Sequence, residues 1–303
     1  MLIGIASTYA ARHEGQISSV EQRFAQAGRE RGCDVVHIDP LRCSYELRSN
    51  RAEIRLSGEV LQLDGLLIRR AAHHWNAVKT LVLMAHETGA VCIDRRETFL
   101  GTLSGKFQAL LRRYQLPENR TPVSFLYFRR DAVAADPPPA DAWPLLTKPL
   151  RGSLGRGIRL VQGPQELLSV VRDHDFREPL MLQKRVEGRE YRALMLETRC
   201  LGVVAKEPGP DGFGNVARGA VFQPASPNQT KTVCDLATAI MAEAPYDFAA
   251  VDVILDDAGD AWVLECNRNP HFAGFETALP DVDVPAAVME ILHSRIQERT
   301  KSR

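Results

Sequence analysis

Two acidic residues stand where a strand should be apolar. The stretch Tyr246–Glu276 reads YDFAAVDVILDDAGDAWVLECNRNPHFAGFE, in which the runs Ala249–Leu255 and Ala261–Cys266 flank Asp256-Asp257-Ala258-Gly259-Asp260. Apolar runs around a Gly-containing turn predict a β-hairpin. Asp252 falls inside its first arm and Glu265 inside its second, with Asn267 two residues further on. The strand period of two puts Glu265 and Asn267 on one face. A carboxylate in a buried strand is costly unless it is paired or holds a cation. Oxygen ligands of this kind suit Mg²⁺ or Mn²⁺, which favour carboxylates and bridge to phosphates. The alternative is a hairpin that keeps its acids on a wet face.

A second candidate lies upstream. Leu145-Leu146-Thr147-Lys148-Pro149 is a short strand with a lysine in it, followed by Arg151-Gly152-Ser153-Leu154-Gly155-Arg156-Gly157 and the strand Ile158–Val161. Glycines let backbone N–H groups close around phosphate oxygens, with the lysine as a point charge beside them; a plain Gly-rich turn is the other reading. The order G-x-x-G-x-G reverses the dinucleotide fingerprint and no helix follows directly, so a Rossmann NAD site is a poor match. Phe99–Tyr114 reads as a helix containing Lys106, but Gly105-Lys106-Phe107 lacks the Ser/Thr and the spacing of a Walker loop. A lone helical lysine is usually a surface residue.

The elements that must position these groups follow from pattern. Met1–Ser7 is a strand, Ser18–Arg31 a helix ended by Gly32, Cys33–Ile38 a strand, and Glu53–Leu56 with Val60–Leu63 a hairpin around Ser57-Gly58. Leu66–Arg69 is a strand, Asn76–Thr88 a helix and Val91–Ile93 a strand. This β-α-β rhythm predicts an open α/β domain over residues 1–96. Groups at the carboxyl ends of such strands are site candidates, which puts Arg69-Arg70 and His73-His74 forward for an anionic substrate, against a solvated loop. Asp136–Pro144 is a proline-rich connection. Gln165–Arg172 is a helix, Leu180–Gln183 a strand, Ala193–Glu197 with Cys200–Val204 a hairpin, and Thr230–Glu243 a helix that delivers the chain to the acidic hairpin.

Composition sets the bounds. At 303 residues the chain exceeds one small core, so two or three subdomains are expected. The 38 basic and 38 acidic residues cancel, and nothing points to a polyanion as main partner. The six cysteines are scattered with no CxxC and no zinc spacing, which predicts reduced thiols in a cytoplasmic protein. No apolar stretch reaches spanning length, and Leu2–Ala6 is too short for a signal segment.

Taken in order, the residues resemble a known family. A helical Lys106, Lys148 before a Gly-rich hairpin, Gln183-Lys184-Arg185-Val186-Glu187-Gly188-Arg189-Glu190-Tyr191-Arg192, Asn215-x-x-Arg218-Gly219, then Val251-Asp252-Val253 and Leu264-Glu265-Cys266-Asn267-x-x-Pro270 are similar to the ATP-grasp ligases, and among them to the RimK-type α-L-glutamate ligases. The resemblance runs over nearly the whole chain and implies an α/β (α+β ATP-grasp) fold. A Rossmann-like pre-ATP-grasp domain (1–96) would precede a central lobe with a Gly-rich lid (97–182) and a C-terminal lobe with the metal site (183–303), the two lobes clamping ATP.

It also implies roles. Lys106 and Lys148 would hold the ATP phosphates under the lid of Gly152, Ser153, Gly155 and Gly157, with Asn215 assisting. Gln183, Lys184 and Arg185 would line the hinge, binding adenine mainly through backbone groups, and Glu190 would bind the ribose. Asp252, Glu265 and Asn267 would hold two divalent cations, Mg²⁺ or Mn²⁺. Arg192, Lys206 and Arg218 would face the transferring phosphoryl group and the acyl-phosphate. The chain departs from the RimK-type pattern toward the substrate side: Phe213-Gly214-Asn215-Val216-Ala217-Arg218-Gly219-Ala220 lacks that pattern's leading Arg and its His, and Arg268-Asn269-Pro270-His271-Phe272 replaces a small-residue run. The implied activity is an ATP-dependent ligase joining an amino acid, with glutamate favoured, to a peptide or protein. Nucleic acid and membrane are not expected partners, and homo-oligomers are compatible. A ligase modifying a ribosomally made peptide and a non-catalytic nucleotide-binding regulator are the alternatives. The intact Asp252–Glu265–Asn267 trio speaks against the regulator.

Overall fold

The computed structural model describes residues 1–9, 13, 16–49, 51–69, 74–100, 121–150, 157–207, 221–244 and 246–302. The chain opens as β1 (Leu2–Ala6), α1 (Ser19–Arg29), β2 (Asp34–Ile38), β3 (Cys43–Arg48), β4 (Arg51–Leu56), β5 (Glu59–Val60), β6 (Gly65–Ile68), α2 (Trp75–Glu87), β7 (Val91–Ile93) and α3 (Glu97–Leu100). Strands β2-β1-β6-β7 form a parallel sheet in that order, the arrangement the β-α-β rhythm demands. Helix α1 starts at a capping box, in which Ser18 Oγ accepts the Glu21 N–H at 3.3 Å and Glu21 returns the bond to Ser18 at 3.1 Å. The expected hairpin around Ser57-Gly58 is present as β4 and β5, and a further strand, β3, completes a three-stranded antiparallel sheet, β3-β4-β5. That strand, Cys43–Arg48, alternates apolar and polar residues, the strand period of two.

The central part adds β8 (Ser124–Tyr127), α4 (Arg130–Ala135), β9 (Leu145–Thr147), β10 (Arg159–Val161), α5 (Pro164–Asp173) and β11 (Leu180–Lys184). They make an antiparallel sheet ordered β10-β9-β11-β8. The last part comprises β12 (Arg189–Leu196), β13 (Arg199–Glu207), β14 (Val221–Pro224), α6 (Pro227–Glu243), β15 (Phe248–Leu255), β16 (Ala261–Asn267), α7 (Ala273–Ala278) and α8 (Val284–Lys301). Its five strands pair antiparallel as β14-β13-β12-β15-β16. Between β11 and β12 the chain passes Gly188 at φ +140°, where a Cβ would stand 2.3 Å from the Leu255 carbonyl oxygen; only glycine fits that crossing.

One face of the five-stranded sheet, with Tyr191, Ala193, Val203, Ala205, Val251 and Val253, packs against α6. The other face is divided. Leu194, Leu196, Val204, Phe248 and Ala250 join a core shared with β1, α1, α7 and α8, and the remaining positions carry charge. Helix α8 returns to the N-terminal sheet: Val284, Val288, Met289, Leu292 and Ile296 are fully buried, and Gly65 leaves room for the Ile296 side chain, which a Cβ would meet at 2.7 Å. Each such burial stabilises by about 1.5–3 kcal/mol.

Two sequence-based expectations are corrected here. Cys200 and Cys234 form a disulfide, bridging β13 to α6, while Cys33, Cys43, Cys92 and Cys266 are thiols outside any disulfide. The pairing depends on how α6 docks on the sheet, which the 34-residue spacing does not reveal. Arg69 does not face a substrate. It is 4 % exposed, lies over the rings of Phe24, Phe248 and Phe272 at 5.3–5.6 Å, and donates to the Pro270 carbonyl at 3.0 Å. A cation so desolvated is held by ring quadrupoles and a carbonyl rather than by water. Arg70 and His73 lie outside the described residues. No described helix is long and apolar enough to cross a membrane.

Candidate active site

Strand register assembles the charged face. Lys206 pairs across from Glu190, Arg192 lies between Val204 and Asp252, Asp252 pairs with Glu265, and Asn267 pairs with Ala250. Side chains opposite one another on one face of an antiparallel sheet stand about 4.5–5.5 Å apart, so residues up to 60 positions apart in sequence become neighbours. An irregularity in the β15–β16 register follows Asp252, as bulges do beside functional positions.

The side chains form one network. Arg192 grips Asp252 with both ends of its fork, Nε to Oδ1 and Nη2 to Oδ2, each 2.7 Å. Lys206 Nζ lies 3.0 Å from Asp252 Oδ2 and makes a short bond to Glu190. Asn267 Nδ2 donates to Glu265 Oε1 at 2.7 Å and faces Asp252 Oδ2 at 3.4 Å. The Asp252 and Lys206 side chains are 2 % and 4 % exposed, so these charges interact in a medium far less screening than water. Burial by itself would raise the Asp252 carboxyl, but Arg192 and Lys206 outweigh it and hold that group well below the usual carboxylate range. Burial pushes the Glu190 carboxyl up, against the pull of Lys206. Burial disfavours the Arg192 cation, and Asp252 more than restores it, leaving the guanidinium firmly protonated.

The four-stranded central sheet carries a second group of expected site residues. Lys148 Nζ donates to Gln183 Oε1 at 2.5 Å, and Gln183 Nε2 donates to Ser124 Oγ at 2.9 Å. These two expected site residues meet because β9 and β11 pair out of sequence order. Gly157 holds φ +78° against Pro149, and its carbonyl accepts the Thr147 hydroxyl at 3.0 Å, which fixes one foot of the Gly-rich segment. Lys184 and Arg185 spend their backbone N–H groups on the carbonyls of Val123 and Pro144. Lys184, Arg185, Val186 and Glu187 line a cavity of about 440 Å³ that Trp262 and Asp256 close from the tip of the acidic hairpin.

The trio of Asp252, Glu265 and Asn267 is therefore together, as expected. Its donors, two carboxylates and one amide, are hard oxygen ligands of the kind a divalent cation takes. Asn267 turns its nitrogen toward the acids, and a half-turn of the amide would present its oxygen instead. Among the described residues no three His, Cys, Asp or Glu side chains converge. Glu190 is engaged by Lys206 through one of its carboxylate oxygens. Lys106, Gly152, Ser153, Gly155, Asn215 and Arg218 lie outside the described residues. The pairing of Arg192 with Asp252 was not anticipated, and only strand register could have signalled it.

Comparisons with known proteins agree with this geometry. The family profile of the RimK-like ATP-grasp domain matches residues 110–292, more than half of the chain. A Vibrio cholerae protein named "Probable alpha-L-glutamate ligase" is 26% identical, over 100% of this chain and 99% of its own. The ATP-grasp ligase PsnB, solved with a phosphomimetic variant of a minimal precursor, Mg and ADP, superposes with a TM-score of 0.70 at 16% identity, covering 97% of each chain. The macrocyclase MdnC from Microcystis aeruginosa, bound with precursor peptide MdnA, gives 0.68 at 16% identity over 97% of this chain and 100% of that one. The fold is thus that of ATP-grasp ligases, and the chain belongs to the RimK-like ATP-grasp family.

Proposed function

We propose that this protein is an ATP-dependent carboxylate–amine ligase that joins an amino acid, glutamate in first place, to a peptide or protein through an acyl-phosphate. The observation that carries this reading is the network of Glu190, Arg192, Lys206, Asp252, Glu265 and Asn267 on one sheet face, joined by the Lys148–Gln183 pair of the central sheet. In such a reaction a substrate carboxylate attacks the γ-phosphate of ATP, and an amine then displaces phosphate to form an amide. The protein's task is positioning and spreading charge.

The residues divide that task. Lys148 and Lys106 hold phosphates, with Gly152–Gly157 closing over them to exclude water from the acyl-phosphate. The cavity beside Lys184–Glu187 suits an adenine in size and in its Trp262 wall. Arg192, Lys206 and Arg218 face the transferring group, and Glu190 sets the position of Lys206. Asp252, Glu265 and Asn267 hold divalent metal, two Mg²⁺ or Mn²⁺ ions, which on binding neutralise phosphate charge. Residues 1–96, 97–182 and 183–303 act as the pre-ATP-grasp domain and the two lobes, and ATP dependence fits a cytoplasmic location.

The names of the curated relatives support glutamate. The peptide-bound neighbours support a second reading, a ligase acting on a ribosomally made precursor. Incubation with ATP, Mg²⁺, pooled amino acids and candidate peptides separates them by the mass of the adduct. Amino-acid-dependent ADP release is the expected result. Nucleotide binding with no turnover across the pool would favour a regulator instead.

A further inference from the structure

Arg268 follows Asn267 directly, and the ligase reading leaves it unused. Its guanidinium carbon lies 4.1 Å from the centroid of Trp75 and 5.3 Å from that of Phe99, and those two rings stack on each other 5.5 Å apart. Trp75 opens α2 just after β6, and Phe99 lies in α3 just after β7. Both rings therefore stand beyond the carboxyl ends of adjacent parallel strands, where open α/β sheets bind ligands.

Arg69 provides the contrast. Its guanidinium is also held by rings, but it is 4 % exposed and donates to a carbonyl. Arg268 is partly exposed, and among the described residues it has neither an ion-pair partner nor a hydrogen-bond acceptor. The nearby Asp94 carboxyl accepts the backbone N–H groups of Asp247 and Phe248 instead. Stacking uses the faces of a guanidinium and leaves its N–H edge, which matches a carboxylate two bonds at a time. Burial disfavours the Arg268 cation despite the field of Asp94, so an incoming anion would recover solvation the fold has removed.

We infer that Arg268, held flat by Trp75 and Phe99 next to Asn267, is the docking point for a carboxylate of the substrate. That carboxylate belongs either to a free acidic amino acid or to an acidic side chain of the acceptor peptide. The inference rests on the ligase reading and names the substrate chemistry of the same site.

Saturation-transfer NMR in the presence of Mg·ADP tests it with L-glutamate against L-glutamic diamide, and with blocked Ala-Glu-Ala against blocked Ala-Gln-Ala. One acid probe should bind about ten-fold tighter than its amide, and which one does so identifies the source. R268Q should abolish that preference and R268K should keep part of it. W75L, which removes the stack and keeps the charge, should weaken it and serves if R268Q does not fold. Absence of any acid preference in the wild type overturns the subsite, as does an acid-to-amide ratio in R268Q within about two-fold of wild type. A lower melting temperature with an unchanged ratio marks the stack as glue between domains and also overturns it. Mg·ADP binding is titrated separately. A wild type that binds no nucleotide sinks the ligase reading, whereas nucleotide binding without acid preference sinks the subsite alone.

Discussion

Strand β15 has a buried carboxylate at each of two places, and they do different work. Asp247, just before the strand, is fully buried and meets Arg95 at 3.2 Å and Arg295 at 2.8 Å. Asp252, within it, is almost as buried and meets Arg192 and Lys206. The partners of Asp247 come from the segment after β7 and from α8, and its backbone N–H reaches Asp94 at 2.8 Å. That cluster stitches three remote segments together. The partners of Asp252 come from neighbouring strands of its own sheet, held in register by backbone pairing, and Glu265 and Asn267 share the face. Burial and charge pairing alone thus do not mark a site. What marks it is a set of acids and cations mounted on one rigid sheet, with more oxygen donors than the ion pairs need.

The largest effect expected from separating the two is at Asp252. Asp252→Asn should lower turnover by about 10²–10³-fold with far-UV circular dichroism retained; near wild-type rates would place the chemistry elsewhere. Asp247→Ala should do the reverse. Arg295 would keep only Glu197 and half-exposed Arg95 would lose this acid, which should cost about 1–3 kcal/mol in urea unfolding, while the KM for ATP in the folded fraction stays within about two-fold. Asp94 sharpens the contrast by pH. Burial raises its carboxyl to about 7, so between about pH 4 and pH 7 the folded state holds a proton that the unfolded chain has released. Its contribution to stability is therefore full at low pH, falls as pH rises through that window, and is flat above it. Asp94→Asn should remove this component from the stability–pH profile, and an unchanged profile would show that Asp94 does not titrate there. The smallest effect lies on the central sheet. Lys148→Ala should weaken ATP binding by about ten-fold in a direct titration, with Asp247→Ala as the control that should not.

Much of the site was legible because it breaks local rules. Asp252 and Glu265 are conspicuous as acids in apolar runs, and the period of two correctly put Asn267 beside Glu265. The rest depends on partners that a linear pattern does not name. Lys148 meets Gln183 only because β11 inserts between β9 and β8. Arg192 meets Asp252 through a register set by eight paired positions. Strand β8 and helix α8 were not anticipated, although Val284, Val288, Met289, Leu292 and Ile296 do recur at helical spacing, a signal available in the sequence. Arg69 read as a charged strand end, and nothing local announced the three phenylalanines that enclose it, since they come from α1, from β15 and from the segment after β16.

The return of α8 to the first sheet has a consequence for how the protein is made. The ribosome releases β1, α1 and β6 long before it reaches Ile296, the residue whose side chain lies against Gly65. Until then the face that α8 covers has no partner, so the first sheet can complete its packing only after the two sheets that separate it from α8 in sequence have been synthesised.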